Sequence, residues 1–362
     1  MKSLAEKIAP DAIKKLIPYQ SARRIGGDGH IWLNANELEA SCVYEGQQGD
    51  YHRYPDFLPD ELANAYLTYC QTHTEFMGGN AVALRGADEA IDLLVRTFCQ
   101  PGKDKIMVCP PTYAMYEFCA DSIAVETVKA PLLSNFQLDV ETIASQLDLV
   151  NILFLCSPNN PTGNVISHAD IITLLELAKD KALVVVDEAY IEFAPQTTVV
   201  GLIEQYPNLV VIRTLSKAFG LASIRCGFLL ADDSVMDLVA RLIAPYPIAD
   251  PTAEIALSAM TEKGIQQMNA QTDELITVRE WFASELNQLE IVEQVFMSST
   301  NFLLVKFNSP TCMYRYLCSK GIVTRNQAHE PALSNCVRIT IGSKESMCET
   351  LLALKQTEAE KI

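Results

Sequence analysis

Seven short runs rich in Val, Ile and Leu constrain this chain more than any other feature. They lie at 81–84, 106–109, 125–128, 152–156, 183–186, 210–213 and 227–230. A strand that is apolar along nearly its whole length is buried on both faces. Helical patterns, such as those at 88–98 and 169–179, fall between the runs. That alternation predicts an α/β fold, with a mostly parallel seven-stranded sheet flanked by helices.

After about residue 250 the pattern changes. Ile265, Met268, Leu275, Val278, Phe282, Leu286 and Leu289 recur at helical spacing. Strand-like pieces follow at 302–307 and 337–341, then a helical segment at 343–355. We expect a large domain over 46–250. A smaller α+β domain would combine 1–45 with 251–362, with Pro245, Pro247 and Pro251 marking the junction.

Composition narrows the function. A chain of 362 residues buries a large core. Its 28 basic and 45 acidic residues leave a net charge of −17. Such a surface repels phosphate backbones, so a nucleic-acid partner is not expected, and any anionic ligand must be met by local cations. No run of 18 apolar residues predicts a membrane span. The eleven cysteines are scattered without a CxxC pair, and the N-terminus lacks an apolar signal region. Reduced thiols and a cytoplasmic location are expected. His30, His52, His73, His168 and His329 form no metal-binding spacing. Neither a GxSxG nor a GxxxxGK[ST] string occurs.

Five segments at strand ends carry chemistry. In Thr214-Leu215-Ser216-Lys217 a lysine follows an apolar run, with hydroxyls at −3 and −1, and Arg225 comes eight residues later. A buried lysine is the residue that forms a Schiff base, and hydroxyls with a guanidinium suit a phosphate. Read alone, the segment equally describes an exposed lysine in a polar turn. Asp187 closes the run 183–186, where a carboxylate could pair with a pyridine nitrogen or simply cap a helix. The string 156–163, CSPNNPTG, is a rigid turn that could aim Asn160. Arg85-Gly86-Ala87-Asp88 opens a helix whose free N–H groups could meet an anion. Tyr113, after two prolines, could stack on a planar ring or pack in the core.

Taken in order, the strings PYQSARR (18–24), WLNANE (32–37), RYP (53–55), RGADE (85–89), CPPTYAMY (109–116), CSPNNPTG (156–163), DEAYIEF (187–193), RTLSKAF (213–219), RCGF (225–228), IAPYP (243–247) and RIT (338–340) span nearly the whole chain. In them the sequence resembles the fold-type I aminotransferases that use pyridoxal 5′-phosphate, and within these the histidinol-phosphate aminotransferases. Two departures stand out. Leu38-Glu39-Ala40 replaces the usual aromatic and proline after WLNANE, and Ser223 stands where glycine is usual.

The resemblance implies roles residue by residue. Lys217 would hold the cofactor covalently and then shuttle a proton. Asp187 would pair with the ring nitrogen, Asn160 and Tyr190 with the phenolic oxygen, and Tyr113 would stack on the ring. Thr214, Ser216, Arg225 and the backbone of Ala87 and Asp88 would cradle the phosphate. Tyr54 would reach the neighbouring subunit's phosphate in a homodimer with shared sites. Arg338, helped by Arg325, Tyr19 and Asn36, would bind substrate, with Arg23 and Arg24 as further candidates. The implied reaction is transamination between L-histidinol phosphate and 2-oxoglutarate, giving imidazole acetol phosphate and L-glutamate, in histidine biosynthesis. An aromatic amino-acid aminotransferase and a threonine-phosphate decarboxylase-like enzyme share the same cofactor groups and stay open.

Overall fold

The computed structural model describes residues 2–17, 51, 53–71, 79–308 and 312–359. The expected central sheet is present. Its strands are β1 (Asn80–Leu84), β2 (Lys105–Val108), β3 (Glu126–Lys129), β4 (Ile152–Cys156), β5 (Leu183–Asp187), β6 (Leu209–Thr214) and β7 (Gly227–Ala231). The order is β1-β7-β6-β5-β4-β2-β3, and β7 alone runs against its neighbours.

The apolar runs do what two-sided burial requires. Every residue of β4, β5, β6 and β7 is buried. Side chains alternate between faces: Leu153, Leu155, Val184 and Val186 join one apolar cluster, whereas Ile152, Phe154, Leu183 and Val185 join the other. One strand departs from this expectation. β3 lies at the sheet edge, and its Glu126 and Lys129 are exposed. Charges on an edge discourage further pairing, and Lys105 of β2 meets Glu126 at 2.8 Å.

A second, antiparallel sheet has the order β10-β11-β9-β8, with β8 at Val292–Val295, β9 at Phe302–Phe307, β10 at Arg325–Asn326 and β11 at Cys336–Thr340. The sequence patterns indicate β9 and β11 but neither β8 nor β10. The long helix Glu262–Leu286 serves both cores: Met268 packs with the large sheet, while Val278, Phe282 and Leu286 pack with the small one. Residues 2–17, grouped above with the smaller unit, place Ala5 and Ala9 in a cluster on the large sheet instead.

Because β1, β2, β4, β5 and β6 all point the same way, their carboxyl ends share one edge. The five chemistry-bearing segments follow those ends. That edge is where open α/β sheets bind ligands.

Candidate active site

A cavity at this edge is lined by Ala87, Asp88, Tyr113, Asn160, Asp187, Tyr190, Thr214, Ser216, Lys217 and Arg225. These include every residue that the resemblance implies for the cofactor except Tyr54. Cys156, Ala189 and Ala222 complete the wall.

One end of the cavity is built for an anion. The helix Ala87–Phe98 starts at Gly86, whose φ of 86° belongs to glycine, and no side chain caps its first turn. Arg225 stands over that turn, itself at φ 52°. Its guanidinium reaches Ser216 Oγ at 3.4 Å, Ala222 O at 3.0 Å and Asp88 Oδ2 at 3.4 Å. The Ser216 N–H donates to Thr214 Oγ1 at 3.1 Å, which tightens the loop between strand and lysine. There is no room for side chains in the cradle floor. A Cβ on Gly86 would lie 2.7 Å from Arg225 Nη2, and one on Gly227 would lie 2.7 Å from the Gly86 carbonyl carbon.

Asp187 forms the middle of the site. It is 2% exposed. Tyr116 Oη donates to its Oδ2 at 2.7 Å and the Ala189 N–H to its Oδ1 at 3.1 Å. Burial pushes its carboxyl up to about 6, against the pull of these two bonds. Lys217 moves the other way: burial, then the positive charge of Arg338, hold it below the ordinary lysine range. Its Nζ lies 5.5 Å from the centroid of Tyr190, a ring set edge-on to Phe302. Tyr113 Oη donates to Asp88 Oδ1 at 3.0 Å, which fixes the ring beside the anion cradle. Behind the strand ends, Glu188 and Arg213 pair at 2.7 Å and are almost fully buried, tying β5 to β6 next to Asp187 and Thr214.

The other end opens into a second cavity shared with Tyr113, Asn160, Tyr190 and Lys217. Arg325 and Arg338 line it and occupy directly opposed positions on β10 and β11. Like charges in register repel, so an anion between them gains from both. Arg338 Nη1 donates to Asn160 Oδ1 at 2.5 Å, and its buried Nε has no hydrogen-bond partner among the described residues. Burial draws its guanidinium below the usual arginine value, with Arg325 adding to the effect and the Tyr190 phenol opposing it. Thr112, from the CPPTYAMY string, also faces this cavity, as do Gln327, His329 and Glu330, which no motif in the sequence marks.

Tyr54 lies outside both cavities, half exposed and stacked on Tyr246 at 4.6 Å. Tyr19, Asn36, Arg23 and Arg24 lie outside the described residues. Tyr116 is the main residue that sequence reasoning missed. Its position in the CPPTYAMY string, one helical turn after Tyr113, was the available signal.

The groups present fit a planar pyridine with an aldehyde and a phosphate arm. The uncapped helix start and Arg225 suit the phosphate, the buried Asp187 suits the ring nitrogen, and the depressed Lys217 suits the aldehyde. The model for aminotransferase class I and II matches residues 28–354. A histidinol-phosphate aminotransferase of Escherichia coli O45:K1 (strain S88 / ExPEC) is 45% identical over 348 residues, covering 96% of this chain and 97% of its own. The crystal structure of the histidinol-phosphate aminotransferase from Clostridium acetobutylicum superposes with a TM-score of 0.78 at 27% identity, over 86% of this chain and 92% of that one. The enzyme from Sinorhizobium meliloti, solved in complex with pyridoxal-5′-phosphate, shares the fold at a TM-score of 0.74 and 20% identity, over 86% and 84%. Fold, site and sequence agree: the chain belongs to the aminotransferase class I and II family, whose cofactor is pyridoxal 5′-phosphate.

Proposed function

We propose that this aminotransferase moves the amino group of L-histidinol phosphate to 2-oxoglutarate, releasing imidazole acetol phosphate and L-glutamate, as a step of histidine biosynthesis. The observation that carries this reading is the opposed Arg325–Arg338 pair beside Lys217. The strong likeness to histidinol-phosphate aminotransferases along nearly the whole of both chains supports it.

When bound, the cofactor supplies an electrophilic carbonyl and a pyridine ring that accepts the electron pair left by loss of the substrate's α-proton. The protein does the rest. Lys217 would be the covalent anchor, and its ε-nitrogen, once freed by the incoming amine, would take the α-proton and deliver it to the carbon that had been the cofactor's carbonyl. Its depressed pKa keeps more of that nitrogen neutral near pH 7. Asp187 holds the ring nitrogen protonated, Tyr113 orients the ring, and Asn160 and Tyr190 hold the phenolic oxygen. Ser216, Thr214, Arg225 and the first turn of Ala87–Phe98 anchor the phosphate. Arg325 and Arg338 bind the phosphate of one substrate and a carboxylate of the other; a guanidinium fork serves both. Tyr54 joins the partner subunit's cofactor site in a homodimer, which leaves it outside the cavities of its own chain.

A donor screen with one preparation tests the reading. Histidinol phosphate, phenylalanine and threonine phosphate are each supplied with 2-oxoglutarate, and glutamate and carbon dioxide are measured. Histidinol phosphate is expected to give the highest kcat/KM. A higher value for phenylalanine, or carbon dioxide from threonine phosphate without glutamate, would replace it with one of the other two activities.

A further inference from the structure

Tyr116 has no role in the reading above, yet its phenol makes the shortest contact to the acid beneath the cofactor. It is fully buried on the helix Met115–Ser122. Its ring stacks on Phe154 of β4, with centroids 4.8 Å apart and planes 7° apart. It also stands edge-on to Tyr113, the ring-stacking residue, at 5.7 Å and 84°. Two aromatic neighbours thus fix the direction of the hydroxyl, which reaches Asp187 Oδ2 at 2.7 Å. Among the described residues, the only other donor to that carboxylate is the Ala189 N–H.

A hydrogen bond to a carboxylate stabilises its ionised form. If Asp187 faces the ring nitrogen, the two share one proton. Anything that stabilises the ionised carboxylate keeps that proton on the ring, where the electron sink needs it. The surroundings make this donor count. Asp88 adds a like charge, Lys217 an opposite one, and Cys156, Tyr113 and Tyr190 are neutral, with burial pushing each of their pKa values up.

We propose that Tyr116 is a positioning residue for transamination: its hydroxyl orients the Asp187 carboxylate and keeps the shared proton on the cofactor's ring nitrogen. The proposal rests on the reading of Asp187 as the partner of that nitrogen.

The test compares Tyr116→Phe, which removes the donor, with 3-fluorotyrosine at 116, which strengthens it. Three signals are read. These are the 15N resonance of ring-labelled pyridoxal phosphate in the holoenzyme, the 13C titration of Asp187 in the cofactor-free protein, and kcat against KM for the amine. With Tyr116→Phe the 15N resonance should move toward the unprotonated position. Asp187 should bind its proton about 10-fold more tightly or more, and kcat should fall about 10- to 100-fold with KM little changed. The fluorotyrosine protein should shift the Asp187 titration the opposite way and keep the ring nitrogen protonated.

The proposal is overturned if Tyr116→Phe leaves the resonance and the titration at their wild-type positions. Should that variant not fold, an unmoved titration in the fluorotyrosine protein overturns it equally. Asp187→Asn separates the two readings. If it fails to move the 15N resonance, the assignment of Asp187 falls and the proposal with it. If it moves the resonance and Tyr116→Phe does not, Tyr116 alone is rejected.

Discussion

On the roles proposed above, the two ends of the cavity meet anions by different physics. At the cradle, the main partners are backbone N–H groups at a helix start, already fixed by the fold, and glycines at 86 and 227 clear the space. At the opposite end, two long side chains face each other across a two-residue strand pair, and one of them keeps a buried donor unpartnered. The first arrangement loses little entropy on binding and suits one ligand that stays. The second retains freedom to adjust, and suits two substrates of different shape that must come and go.

Changes between and at the two ends should break this contrast if it is wrong. Lys217→Ala removes a group common to both and should lower turnover by about 10⁴-fold or more in steady-state assays. Residual cycling near the wild-type rate would remove Lys217 from its role. Arg338→Ala should cut kcat/KM by about 100-fold or more while the equilibrium Kd for pyridoxal phosphate stays near wild type. Arg225→Ala should do the converse, weakening cofactor binding about 10- to 100-fold with a small effect on amine KM at saturating cofactor. If the two variants show the same phenotype, the ends are not independent.

The acid between them should show itself through pH. The folded-state pKa of Asp187, about 6, lies above its ordinary value of 3.8. Its contribution to stability is therefore full below 3.8 and is lost as pH rises through about 6. In the cofactor-free protein Asp187→Asn should gain about 1–3 kcal/mol on wild type at pH 8, and almost nothing at pH 3.5, in denaturant melts. Equal differences at both pH values would mean that burial does not govern this carboxyl. Gly227→Ala should cost about 1–3 kcal/mol, because its Cβ would press on fixed backbone rather than on a movable side chain. Unchanged stability and cofactor affinity there would show a cradle softer than its contacts indicate.

Much of this was legible because it is local. β4 and β9 fall at 152–156 and 302–307, as the unbroken apolar run of the first and the apolar run of the second, interrupted only by Lys306, indicate. Lys217 and Asp187 stand at strand ends, where their neighbours in sequence placed them. Other features depend on register between distant segments. Nothing in the spacing of Arg325 and Arg338 reveals that they oppose each other, since that follows from how β10 pairs with β11. β8 escaped notice because its Glu293 and Gln294 are exposed and its pairing is bulged. Tyr116 reads as a core aromatic, and only its approach to Asp187 across 71 positions gives it a chemical setting.

The reversed strand β7 has one more effect. Thr214 and Gly227 are paired in register, so the segment carrying Lys217, Ser216 and Arg225 leaves the sheet and returns to it at the same point. The lysine amine and the arginine guanidinium ride on one closed arc, pinned at both feet. Inserting or deleting a residue anywhere along it would throw nitrogen and guanidinium out of step, so the span between those feet tolerates changes of side chain far better than changes of length.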